Sequence, residues 1–165
     1  MGLSLILLRH AKSDWSVASS GDLERPLSPR GLRSAQAVGR FLASAGLLPD
    51  LALTSPALRA RSTLDLAAKS GAWGCEVLVT EALYGTAGEV LAEIGSTPDR
   101  VRTLLAVGHQ PAWSEVVTLL TGCGAIRLPT GSALVLGSEA ERWPDLARAG
   151  GAVELLLTPR ALLGR

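Results

Sequence analysis

Two cysteines, two histidines, one methionine, one phenylalanine and one tyrosine are all that a chain of 165 residues holds of those types. Cys75 and Cys123 have neither metal-ligand spacing nor the density of a disulfide framework, so they read as ordinary thiols in a reducing compartment. Charge of one sign is lacking as well. The 16 Lys and Arg against 15 Asp and Glu leave a net charge of +1, which excludes a global field for nucleic acid or an anionic membrane. Any attraction for anions is therefore local. No apolar run near the start is long enough to span a bilayer, and Arg9-His10 interrupts the first one where a signal peptide would want its cleavage site. The expectation is a cytoplasmic protein with no membrane or nucleic-acid partner. Repeats, low-complexity tracts and linkers are missing too, and the length fits one domain over residues 1–165.

What is present is an alternation of short apolar runs and amphipathic segments. Leu3 to Leu8 is the continuous apolar run of a strand buried on both faces, and it stops at Arg9-His10. Lys12 to Leu27, rich in Ser, Asp, Gly and Pro, reads as a long loop of the functional kind. Ser28-Pro29 supplies a cap and a first-turn proline for a helix with Leu32, Ala35, Val38 and Leu42 on one face, ending near Gly46. Leu51 to Leu53 is a strand, and Ser55-Pro56 repeats the cap-and-proline start for a helix with Leu58, Ser62 and Leu66 inward, lasting to about Gly71. A strand at Glu76 to Val79 and a helix from about Ala87 to Ile94 follow. Thr103 to Val107 is the second strong strand, ending in Gly108-His109-Gln110-Pro111, and Pro111 opens a helix with Trp113, Val116, Val117 and Leu120 at helical spacing. Ser132 to Leu136 and Ala152 to Leu157 are the last strands. Alternation of this kind predicts an α/β layered fold with a largely parallel sheet.

In such a sheet, ligands bind in the crevice beyond the carboxyl ends of the strands. Three strand-to-helix junctions then bring together Arg9 and His10, an arginine of the second helix, and His109. Arg59 and Arg61 both fall in that helix's first turn, and a boundary known to a residue or two does not choose between them. The set suits a phosphoryl group. Guanidinium forks match phosphate oxygens, helix starts offer free amides, and a neutral imidazole can attack phosphorus while cations stabilise the equatorial oxygens. Flanking arginines should lower the His10 pKa by like-charge repulsion and keep the ring neutral. Two histidines remote in sequence, without a carboxylate or cysteine partner set, predict no metal site, and no cofactor is implied.

Leu7-Leu8-Arg9-His10-Ala11-Lys12-Ser13-Asp14-Trp15, Arg25-Pro26-Leu27, Arg30-Gly31, Thr54-Ser55-Pro56-Ala57-Leu58-Arg59-Ala60, Ala82-Leu83-Tyr84 and Val107-Gly108-His109-Gln110-Pro111 together resemble the histidine phosphatase superfamily. Within it they look like the SixA-type phosphohistidine phosphatase branch. The resemblance runs in order from about residue 3 to 137. It implies a phosphoglycerate mutase-like, three-layer α/β/α sandwich with a mostly parallel central sheet, and a metal-free phosphoenzyme mechanism. By matching motif, His10 would be the nucleophile, and Arg9, Arg59 and His109 would complete the phosphate pocket, which favours Arg59 over Arg61. Ala11 stands where the broader superfamily has glycine. Larger relatives carry a glutamate before a Tyr-Gly pair, and Glu81, three residues before Tyr84-Gly85, is the matching candidate for the general acid, beside its reading as a solvated surface residue. The chain also leaves no room for the lid insertion of those relatives, and an open site suits a phosphate displayed on another protein.

The implied activity is hydrolysis through a phosphohistidine intermediate on His10, with phosphohistidine on a signalling protein as substrate. The alternatives are a phosphatase for small phosphomonoesters and, in a different class, a phosphate-binding interaction module without turnover. Retention of His10 argues against the module, because binding needs cations but no nucleophile. A mutase is disfavoured, since it must keep its intermediate from water. Lys12, Arg25 and Arg30 stand either as a solvated face or as groups steering substrate, with Arg30 leaning to the surface. Trp73, Trp113 and Trp143 read as packing residues, and Trp15 as a border of the pocket mouth.

Overall fold

The computed structural model describes residues 2–18 and 20–164. Strand β1 (Leu3–Arg9) divides the core, because alternate side chains leave a strand on opposite faces: Leu3, Leu5 and Leu7 join one cluster, Ile6 and Leu8 the other. Helix α1 (Pro29–Ser44) follows, then β2 (Leu51–Thr54), α2 (Leu58–Gly71), β3 (Glu76–Val79), α3 (Ala87–Gly95), β4 (Thr103–Gly108) and α4 (Ala112–Thr121). Strand β5 (Ala133–Ser138), the short α5 (Leu146–Ala149), β6 (Ala152–Leu157) and the short α6 (Pro159–Leu163) complete the order. The sheet runs β3-β2-β4-β1-β5-β6, parallel from β3 through β1, with β5 antiparallel to both of its neighbours. No helix among the described residues is long and apolar enough to cross a membrane.

The strand order explains the three layers. The chain moves outward from β1 to β2 to β3 and then turns back to insert β4 between β2 and β1. Right-handed crossovers put helices on one face while the chain moves one way and on the other face when it reverses. Accordingly Val38 and Leu42 of α1 and Ala60, Leu64 and Ala67 of α2 pack with Ile6 and Leu8, while Val90 and Ile94 of α3 and Trp113, Val116 and Val117 of α4 pack with Leu5 and Leu7. The expected α/β/α sandwich with a mostly parallel sheet is therefore the observed one.

Local chemistry sets most boundaries. Ser28 Oγ accepts the Gly31 amide at 3.1 Å with Pro29 in the first turn, and Gly122 ends α4 in the left-handed region. Thr86 and Glu89 form a reciprocal capping box ahead of α3, satisfying amides that an open helix end leaves unpaired. The second helix departs from expectation. It starts at Leu58 behind Ala57, with no side-chain cap, and its buried face is Ala60, Thr63, Leu64 and Ala67, with Leu58, Ser62 and Leu66 only half-buried. Ser55 Oγ accepts the Ala57 amide at 3.2 Å, just ahead of the helix, and also meets a tertiary partner. Both ends of the loop after β1 are tied down: Ser13 bridges to Leu27, a 3-10 turn forms at Asp22–Glu24, and both the Ser28 amide and its hydroxyl donate to the Lys12 carbonyl. Gly31 allows this approach, since a Cβ there would stand 2.1 Å from the same carbonyl oxygen.

Candidate active site

Sheet register alone brings the two histidines together. Arg9 pairs with Gly108 and Thr54 with Val107, so His10, Ser55 and His109 leave three adjacent strands at one level of the carboxyl edge. The His10 amide donates to the Gly108 carbonyl at 3.0 Å and the Ser55 amide to the Val107 carbonyl at 3.1 Å, extending that register past the strand ends. The imidazole centroids end 5.0 Å apart with the planes tilted by 49°. Gly108 allows the junction to close on α4, because a Cβ there would meet the buried Trp113 ring at 2.5 Å.

Each ring is held from behind. His10 Nδ1 lies 2.8 Å from the Ala11 carbonyl oxygen, which can only accept, so the proton sits on Nδ1 and the Nε2 lone pair is free of any partner among the described residues. His109 Nε2 lies 2.7 Å from Ser55 Oγ, and its Nδ1 lies 3.4 Å from the Arg59 guanidinium, which can only donate. That contact assigns the lone pair to Nδ1 and the proton to Nε2, donated to Ser55. A hydroxyl donates as well as accepts, so Ser55 holds the ring in either neutral tautomer. Ala11 packs with Leu27 and Ala35, so its methyl fills the space where the broader pattern has glycine, and its amide donates to Thr63 Oγ1 at 3.0 Å, tying the loop to α2.

The cations stand around the rings. Arg9 donates through Nη1 to the Leu128 carbonyl at 2.7 Å, while its Nε is buried without a partner among the described residues. A buried N–H without a partner costs free energy. Arg59, the second residue of α2, is buried, whereas Arg61 is exposed and turns back to the Pro56 carbonyl, so the structure brings Arg59 and not Arg61 to the histidines. Both terminal nitrogens of Arg59 reach Asp22, one its carbonyl at 2.7 Å and the other its carboxylate at 2.8 Å.

Asp22 was not legible as a site residue. Its carboxylate also accepts from the Tyr84 hydroxyl at 2.7 Å and pairs with Arg25 at 3.0 Å. The Tyr84 hydrogen bond above all, then Arg59 and Arg25, hold its carboxyl below the usual range, so it is ionised at neutral pH. Tyr84 in turn stands edge-on to His109 with centroids 5.2 Å apart. Arg25 stacks on Trp15, its guanidinium carbon 3.2 Å from the ring centroid, so the exposed Trp15 is linked through Arg25 to Asp22. Glu81 begins the 3-10 turn that Tyr84 ends, but it is exposed and makes no hydrogen bond or ion pair with these residues. Nothing in the sequence distinguished Asp22 from Asp14 or Glu24 in the same loop, and the signal for Ser55 was its position one residue past a strand end.

Burial, more than the arginines, sets the protonation of the rings. It pushes the His10 pKa from 6.5 to about 4, with Arg59 and Arg9 adding in the same direction against Asp22 and the Ala11 carbonyl. His109 falls to about 3 through burial, then His10 and Arg59. The direction matches the sequence-based expectation, and the leading cause differs. If the neutral ring is the reactive form, protonation removes it: kcat/KM, corrected for ionisation of the substrate, should stay level from neutrality down to about pH 4 and fall roughly tenfold per unit below. An acid limb at or above 6.5 would show that the folded pocket does not shield His10.

The histidine phosphatase superfamily (branch 1) profile matches residues 5–94. A chloroplastic Arabidopsis thaliana protein of uncharacterized function is 36% identical over 158 residues, covering 89% of this chain and 72% of its own length. Among solved structures, one from Nakamurella multipartitia assigned to phosphohistidine phosphatase SixA superposes with a TM-score of 0.86 at 30% identity, covering 96% of this chain and 97% of that one. The protein histidine phosphatase SixA in complex with tungstate gives 0.84 at 21% identity, covering 97% and 99%, a likeness of fold. With two imidazoles and two arginines gathered at the carboxyl edge of such a sheet, and with that profile spanning more than half of its length, this chain belongs to the histidine phosphatase superfamily.

Proposed function

We propose that this phosphatase removes the phosphoryl group from phosphohistidine on a signalling protein, through a covalent intermediate on His10 and without a metal. The observation that carries the reading is a neutral imidazole whose Nδ1 proton is anchored on a backbone carbonyl, leaving Nε2 as a nucleophile beside the buried Arg59 and the half-buried Arg9. In the first step the Nε2 lone pair forms a bond to phosphorus as the bond from phosphorus to the leaving group breaks. Arg9, Arg59 and His109 take up the charge on the three equatorial oxygens. Water then attacks the phosphorus of phospho-His10, the P–N bond breaks, and inorganic phosphate leaves with His10 restored.

The carboxyls near the pocket support the choice of leaving group. Asp22, the one in contact with Arg59, is held ionised and is a poor acid, and Glu81 lies at the surface with no contact to the rings. Expelling an alkoxide calls for a proton, whereas imidazole is a far weaker base and leaves with less help. A site with a weak acid therefore favours a phosphoramidate over an alkyl phosphate.

Turnover of a phosphohistidine peptide, compared with a panel of sugar and nucleotide phosphates, tests this. The peptide should be preferred, and Glu81→Gln should slow it by less than about threefold, since that carboxyl has no contact with the rings. A loss on the peptide of about 100-fold, the scale of a general acid, would contradict the phosphoramidate reading, and preference for one small ester would replace it with a metabolite phosphatase.

A further inference from the structure

We infer that a track of four cations beside the pocket docks carboxylates of the phosphoprotein next to its phosphohistidine, an inference that rests on the substrate class proposed above. Lys12, two residues past His10, faces a cavity of about 430 Å³ together with Arg30 of α1 and Arg160 of α6, and a second concavity of about 410 Å³ shares Arg30 and adds Arg33. No Asp or Glu lines either one. All four cations are exposed, and among the described residues none forms an ion pair, although Arg25, Arg59, Arg100, Arg142 and Arg148 all do. In a chain whose net charge is only +1, four unpaired cations on one seam are a local field that the protein itself leaves unanswered.

The seam is joined to the catalytic pocket through the backbone. Thr130 lines the first cavity, and the amide of the next residue, Gly131, donates to the carbonyls of both Arg9 and His10. The cavity wall is therefore fixed to the strand end that carries His10, and Lys12 follows that residue by two. Thr158 and Ser34 add hydroxyls to the wall. Arg30 and Arg33 lie three residues apart on α1, about 5–6 Å between neighbouring side-chain roots, so they extend the charge along the helix away from the pocket. A compact second phosphate would fill one cavity. Two concavities in series with exposed cations fit an extended acidic surface, whose attraction is long-ranged, weak per pair and screened by salt.

The test uses two phosphohistidine peptides of equal length, one flanked by Asp and Glu and one by Asn and Gln, with the wild type and with Arg30→Glu/Arg160→Glu. The wild type should hydrolyse the acidic peptide with a KM about 10-fold lower at low salt, a difference that shrinks as salt shortens the screening length from roughly 30 Å at 0.01 M to 3 Å at 1 M. In the variant the preference should vanish or invert with kcat little changed, and p-nitrophenyl phosphate should be turned over as by the wild type. Equal KM values for the two peptides in the wild type would overturn the inference while leaving phosphohistidine hydrolysis intact. So would a preference that survives in the variant, a matching loss on p-nitrophenyl phosphate, or a gain seen only with bisphosphorylated small molecules. No turnover of either peptide beside normal turnover of p-nitrophenyl phosphate would overturn the substrate reading and the docking track together.

Discussion

Changing His10 to alanine should abolish turnover of an activated aryl phosphate, by about 10⁴-fold or more, the scale of loss on removing a nucleophile that acts with its partners as a unit. The reason lies in the ring's surroundings. The Ala11 carbonyl fixes the Nδ1 proton, burial keeps the ring uncharged, and no other neutral nitrogen base stands within the pocket except His109. His109 is not a substitute, because its Nδ1 faces the Arg59 guanidinium and its Nε2 is engaged by Ser55. The measurement is a rapidly quenched reaction with labelled aryl phosphate. Wild-type protein should carry label that is lost in acid and kept in base, as a phosphoramidate is, and the variant should carry none. Label on the variant, or base-labile label on the wild type, would move the nucleophile elsewhere.

Arg59→Ala should lower kcat/KM by about a thousandfold, within the range that an arginine contributes to phosphoryl transfer. Lysine at this position should recover little of it, since a single ammonium cannot reproduce a planar fork that meets two acceptors at once. In the free protein those acceptors are the carbonyl and carboxylate of Asp22, so the guanidinium is already oriented by an anion, and a phosphate oxygen would compete for it. Removing Arg59 also leaves the Asp22 carboxylate without its nearest cation, a negative charge that would repel substrate. The double variant Arg59→Ala/Asp22→Asn separates the two effects. If it stays near the single variant, Arg59 acts on the transition state; if it returns to within tenfold of wild type, Arg59 serves only to neutralise Asp22.

Much of the fold could be read from the chain because its strands are buried on both faces. Leu3–Arg9 and Thr103–Gly108 have no polar side to confuse their period, and Ser28-Pro29 marks a helix start by a cap that needs no distant partner. The start of α2 was read less well for the converse reason. Ser55 resembles a cap, but its hydroxyl is shared between His109 and the Ala57 amide, and α2 begins three residues later without a side-chain cap. Burial on α2 shifted by a position or two because the helix packs on both α1 and the sheet, and a single periodic stripe does not describe two contacts.

The pocket divides along the same line. Residues at strand ends, namely Arg9, His10, His109 and the arginine of the next helix, could be named from their order, since parallel register delivers successive carboxyl ends to one crevice whatever the loops do. Asp22, its link to Tyr84, the stacking of Arg25 on Trp15 and the line of cations from Lys12 to Arg160 belong to segments far apart in the chain. Composition left Lys12 and Arg25 undecided and placed Arg30 at the surface. Which of them met an anion and which stayed unpaired was settled when a loop rich in Gly, Ser and Asp, with little local preference of its own, folded over the sheet edge and found partners there.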